Sequence, residues 1–190
     1  REDFVATQVQ FYFVVTFFSR PMAAVAARIP EPELRLAILR RPLPATLAAE
    51  IDAIRQRMET ELARETRSRH DFKLGRGGLL DVETVVQYLL LRHGGDHPEL
   101  LETARLETQL EGLRERGLIP SESARTLSEG WDFLQRVAGR LRVVENRSIS
   151  DLDEEHGDLD GLARRLGYAA GGRAGSDRRA LLRDYQRHTE

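Results

Sequence analysis

The stretch RHDFKLGRGGLLDVETVVQYLLLRHGG, residues 69–95, gathers the groups with most chemical capacity in this chain. Lys73 and Arg76 supply two cations, and Gly75, Gly77 and Gly78 supply a backbone free to bend. Asp81, Glu83 and Gln87 add polar groups at the start of an apolar run. Lys73 is the only lysine among 29 Lys and Arg residues. Lysine's compact ammonium and arginine's planar fork are not interchangeable in a tight glycine pocket, so a single retained lysine points to a geometric need. Glycines permit left-handed backbone and close approach, and the N–H groups of a helix start attract anions. Asp81 and Glu83 oppose this, because carboxylates in a first turn already complement the helix dipole. At about 100° per residue they project roughly 200° apart, so they do not chelate one metal ion together. Two readings stay open on local chemistry. The loop faces an anion, or it is a tight connector in which Lys73 pairs with Asp81 or Glu83.

Other chemistries fail on spacing. A Walker loop requires Lys and Ser/Thr after its last glycine, whereas Leu79 follows Gly78; a dinucleotide fingerprint requires G-x-G-x-x-G after a strand, and none is expected here. His93-x-x-x-His97 has metal-like spacing, but Gly94, Gly95 and Pro98 break the helix that would align the pair, and no third ligand is evident. The absence of cysteine removes disulfides and thiolate sites and fits a reducing cytoplasm. Net charge is −2 and the isoelectric point about 6.3, which does not call for nucleic acid or an anionic membrane. LDGLARRLGY resembles the first helix of a helix-turn-helix, yet AAGGRAGSD is too long for its turn.

The elements that must position the loop are helical. With 41% hydrophobic and 32% charged residues in 190, the chain is expected to fold around a real core. Residues 1–42 form an aromatic-rich lead-in of undefined structure, holding five of the seven phenylalanines and punctuated by prolines. Its apolar run, Val9 to Phe18, is too short for a bilayer span of roughly 20 residues, and no membrane partner is expected. Residues 43–190 read as a helical domain. Leu47, Ile51, Ile54, Met58 and Leu62 recur on one helical face; a break covers 67–78; Leu79 to His93 is apolar nearly all round. Asp96 and Pro98 start a third helix to about Arg116. Gly117 and Pro120 precede a long fourth helix with a seam of Ala124, Leu127, Trp131, Leu134, Val137 or Ala138, Leu141 and Val144. An acidic loop, a short helix and a last helix from near Ser176 follow. The expected fold is all-α, a bundle of five to six helices around a long central one. Arg1 and a helical pattern still running at Glu190 lead us to expect part of a longer protein.

FKLGRGGLLDVETVVQYLLLRHG closely resembles the signature of the glutamine synthetase adenylyltransferase/deadenylylase family, K-x-G-x-G-G-[apolar]-x-[DE]-[apolar]-E-F followed by a V-Q-x-L-x-L helix. Lys73, Gly75, Arg76, Gly77, Gly78, Asp81, Glu83, Gln87 and Tyr88 fall in place. EIDAIRQRMETEL resembles the preceding helix of that family, and LARRLGY and LLRDYQRHTE its closing helices, so the likeness covers about residues 44–190. Two positions depart from it: Thr84 stands where the family has an aromatic, and the Glu145-Asn146-Arg147 run is displaced.

The resemblance implies a parent enzyme in which nucleotidyltransferase domains are each followed by a helical domain. Such an enzyme moves AMP from ATP to a tyrosine of glutamine synthetase and removes it by phosphorolysis, under control of the PII signalling protein in the cytoplasm. There a G-S element followed by D-x-D carboxylates holds Mg²⁺ on the phosphates. Here Gly175-Ser176 has no D-x-D after it, and Asp151/Asp153 and Asp158/Asp160 have no G-S upstream. The chain is therefore expected to be a helical domain, inactive alone, with no tightly bound cofactor, whose loop meets nucleotide or the catalytic domain. A pure interaction bundle docking glutamine synthetase or PII, and a PII uridylyltransferase-like helical domain, are the alternatives.

Overall fold

The computed structural model describes residues 40, 42–63, 65–145, 150–155, 158–168 and 176–190. The lead-in before residue 40, the Asn146-Arg147 part of the displaced run and the AAGGRAG linker lie outside them. The described elements are α1 (Leu47–Glu61), β1 (Arg69–Asp71), α2 (Leu79–His93), a 3-10 turn (Pro98–Leu101), α3 (Leu106–Glu115), α4 (Ser121–Glu145), β2 (Asp151–Asp153), α5 (Leu159–Arg165) and α6 (Ser176–Thr189). The fold is all-α, with six α-helices among the described residues and one short ribbon. No described helix is long and apolar enough to cross a membrane.

The chain divides into two compact units. One comprises residues 46–83 and 121–190 and carries the glycine loop; the other holds 84–120 with the segment before residue 46. In the loop-bearing unit, α4 is the long helix that the apolar seam implies. Ala124, Trp131, Leu134 and Val137 are buried, and Phe133 joins them although the seam omits it. Leu181 and Tyr185 of α6 and Leu159, Leu162 and Ala163 of α5 are also buried, and α4, α5 and α6 pack on one another. Asp158 starts α5 by accepting from the Gly161 amide at 2.8 Å, a side-chain cap of the usual kind. In α1 Met58 is buried while Leu62 is 45% exposed, so the apolar stripe ends one turn early.

Two expectations change. The break over 67–78 and the acidic loop are not wholly irregular. They pair as an antiparallel ribbon, Arg69 with Asp153, His70 with Leu152 and Asp71 with Asp151. Leu152 is buried in the core, and the flanks are tied by Arg69 Nε at 2.7 Å from Asp151 and by His70 Nε2 within hydrogen-bond distance, 2.8 Å, of Glu154. In the other unit, the third helix does not run unbroken from Pro98. A single 3-10 turn ends at Leu101, the backbone extends at Arg105, and the Thr103 carbonyl is taken by the Gln109 side chain at 2.7 Å before α3 begins. Leu100, Leu101, Leu106, Leu110 and Leu113 then form that unit's core.

Candidate functional site

The loop between β1 and α2 is built inward. Asp71, at the end of β1, is buried, and its Oδ1 accepts from the amides of Lys73 and Leu74 at 3.0 and 2.9 Å. An aspartate bonding its own following backbone is the standard chemistry of a tight turn. The Asp71 carbonyl accepts from Gly75, the Gly75 carbonyl from Gly78, and the carbonyls of Phe72 and Lys73 from Leu79 and Leu80. The Gly77 amide donates to Asp81 Oδ2 at 2.7 Å. The amides of Lys73, Leu74, Gly75, Gly77 and Gly78 are therefore satisfied within the loop and are not open to an anion. Close packing accounts for the glycines instead. Gly77 has φ +66, and a Cβ built on it would run into the backbone of Thr189 at the end of α6.

Asp81 is held by a residue from another helix. Arg55 of α1 places Nε 2.5 Å from Asp81 Oδ1, and its Nη2 lies 3.4 Å from the Leu74 carbonyl. Both Asp81 oxygens are thus occupied, by Arg55 and by the Gly77 amide, and not by Lys73. Glu65 Oε1 faces the loop as well, accepting from the Asp71 amide at 3.3 Å. Burial of that carboxyl holds its pKa above the usual 4.5, and burial pushes the nearby Tyr185 hydroxyl up, helped by the charges of Glu65 and Asp71.

The structure brings Lys73, Gly75, Arg76, Gly77, Gly78, Asp81 and Glu83 together in one unit. Gly75 and Gly78 are buried, Gly77, Asp81 and Glu83 half-buried, and Lys73 and Arg76 exposed. Neither cation makes an ion pair among the described residues. Gln87 lies further along α2 in the other unit, half-buried, with its Oε1 enclosed and unpartnered among the described residues. Among the described residues no group of three or more His, Asp or Glu side chains is placed to hold a metal ion. Asp81, already neutralised by Arg55, does not fit such a role.

Sequence reasoning missed Arg55, Asp71 and the end of α6. A signal for Arg55 existed. It lies four residues after Ile51 and three before Met58, on the apolar stripe of α1, where an unpaired charge is rarely buried. Thr189 left no local signal.

Near the same helix end, His188 stacks on Phe133 at 4.8 Å between centroids. Burial and Arg187 hold its pKa below the usual 6.5, while Asp184 and Glu129 act the other way and Arg136 adds to the lowering. The folded state thus binds this proton less readily than the unfolded chain. Its stability contribution is present above pH 6.5 and is lost as pH falls below it. His188→Gln removes this group. The melting temperature of the wild-type chain is expected to decline relative to His188→Gln as the pH is lowered from about 7.5 to about 5.5; parallel profiles would count against the assignment.

Fold and loop together define an α-helical domain that fastens a glycine loop from within and displays two cations on it. The sequence model of the family described as GlnD PII-uridylyltransferase matches residues 52–190, and the chain belongs to that family. Curated relatives include the bifunctional glutamine synthetase adenylyltransferase/adenylyl-removing enzymes of Streptomyces coelicolor, 38% identical over 64% of this chain, and Streptomyces avermitilis, 37% identical over 74%. That of Pseudomonas aeruginosa is 33% identical over 61%. The matched stretch makes up 12%, 14% and 13% of those proteins, so the chain spans only a small part of their length.

Proposed function

We propose that the chain is the helical domain of a bifunctional glutamine synthetase adenylyltransferase/adenylyl-removing enzyme, serving AMP transfer from ATP to glutamine synthetase and its reversal in nitrogen regulation. The observation that carries this reading is the division of labour in the loop. Asp71, Arg55, Asp81 and the glycines are consumed in fastening it, and Lys73 and Arg76 alone are turned outward. Two cations on a rigid arch suit the carboxylates or nucleotide phosphates of a nucleotidyltransferase domain preceding this one in the chain. In this reading that domain holds ATP and Mg²⁺, PII regulates the enzyme, the setting is cytoplasmic, and the helical domain alone does not turn over ATP. The names of the relatives and the K-x-G-R-G-G-x-x-D-x-E text support it.

The family's description favours a second reading, a helical domain of a PII uridylyltransferase. The nucleotide used by the full-length enzyme separates the two: ATP with glutamine synthetase as acceptor supports the first, UTP with PII the second. In that enzyme, Lys73→Ala/Arg76→Ala is expected to lower AMP transfer at least about tenfold, the scale of losing a charge placed for transition-state stabilisation. Its melting temperature should stay unchanged, because neither side chain makes an ion pair among the described residues. Full transfer by the double variant would refute the proposal.

A further inference from the structure

We infer that Arg55 is a positioning residue for the two exposed cations, an inference that rests on the proposed function for its consequence in catalysis but not for its structural test. Arg55 is only 8% exposed, an unusual place for a guanidinium. Its Nε meets Asp81 Oδ1, Asp81 Oδ2 accepts from the Gly77 amide, and its Nη2 faces the Leu74 carbonyl. Leu74 and Gly77 are the two feet of the arch that carries Gly75 and Arg76. One guanidinium from α1 thus holds both feet, one directly and one through Asp81, and Lys73 adjoins the first.

The arrangement is poor as a device for stability alone. Nη1 is enclosed without a partner among the described residues, and a buried ion pair is often matched or bettered by apolar side chains of similar volume. What such side chains lack is the fork geometry. Lysine lacks it too, since a point charge cannot address Asp81 and the Leu74 carbonyl with two fixed donors. The pair therefore fixes where Lys73 and Arg76 stand, which is the requirement placed on groups that must meet a partner's charges to within a fraction of an ångström.

The test has two readouts. In the 190-residue chain, Arg55→Lys is expected to speed hydrogen exchange at the Gly77 amide at least about tenfold while amides of the α4 core keep their protection. Unchanged exchange at Gly77 overturns the inference whatever the enzyme does. In the full-length enzyme, Arg55→Lys should lower kcat for AMP transfer between about tenfold and a hundredfold, the scale of a misplacement of about 1 Å, with the KM for ATP unchanged. Adding Arg76→Ala to Arg55→Lys should cost little more, because a displaced Arg76 has little left to lose; multiplying effects would overturn the inference. Should Arg55→Lys fail to fold, Arg55→Met/Asp81→Leu approximates the packing and is expected to stay folded, melting lower because the Gly77 amide loses its acceptor, yet transfer poorly. Normal transfer by that variant overturns the inference. Normal transfer by Lys73→Ala/Arg76→Ala instead overturns the proposed function and leaves the exchange result standing.

Discussion

Gly77→Ala is expected to destabilise the chain by about 3 kcal/mol, the sum of about 1–2 kcal/mol for a side chain in left-handed backbone and about 1–3 kcal/mol for a steric insertion. For a chain of this size that corresponds to a fall in melting temperature on the order of 10 °C. Gly77 has φ +66, and a Cβ there collides with the backbone of Thr189, which has no flexible end to swing aside. Gly117 supplies the control. Its φ is +67, but a Cβ there meets nothing within 4 Å, so Gly117→Ala carries the backbone cost alone, about 1–2 kcal/mol. Thermal melts of the two variants decide the matter. Equal losses would mean that α6 does not seat on the loop; a larger loss at Gly77 establishes the contact. In the proposed enzyme, Gly77→Ala should also depress AMP transfer, because the displaced arch carries Arg76.

Asp71→Ala is the second large effect. The carboxylate is 3% exposed and accepts from two consecutive amides. Its removal leaves both donors without a partner at about 1–3 kcal/mol each, offset in part by water reaching the loop, for a net loss of about 2–4 kcal/mol. Asp71→Asn keeps an acceptor in the same place and should lose less than half as much. Urea unfolding of the two variants measures this. An Asn variant as unstable as the Ala variant would show that the negative charge matters, not the turn geometry, and would direct attention to Tyr185 and Glu65 around it.

Much of this fold was legible in the residues. The apolar-rich run Leu79–His93 coincides with α2, and Gly94-Gly95 stop it, but only the face of Leu79, Val82, Val86 and Leu90 is buried and Val85 is 39% exposed. The near-heptad seam located α4 and the burial of Trp131, since a long amphipathic helix repeats its signal over many turns. The third helix was less legible. Pro98 starts a turn equally well in 3-10 or α form, and the outcome depended on where the Thr103 carbonyl and Gln109 side chain met. The ribbon was not legible at all. Each strand is three residues long, too short for alternation to register, and its partner lies about 80 residues away in the chain.

The candidate site divides the same way. By itself the sequence determined which groups are present: one lysine, three glycines, two acids and an apolar helix behind them, in a pattern that resembles one family. Those are local properties, carried by residue type and spacing. Which cations are displayed and which charges are consumed was decided only by the tertiary structure, because Asp81 had candidate partners at Lys73, nearby in the chain, and at Arg55, on another helix. Burial settled the competition. A guanidinium already enclosed by the packing of α1 must be paired where it lies, so Asp81 went to Arg55, and Lys73 and Arg76 were left facing outward.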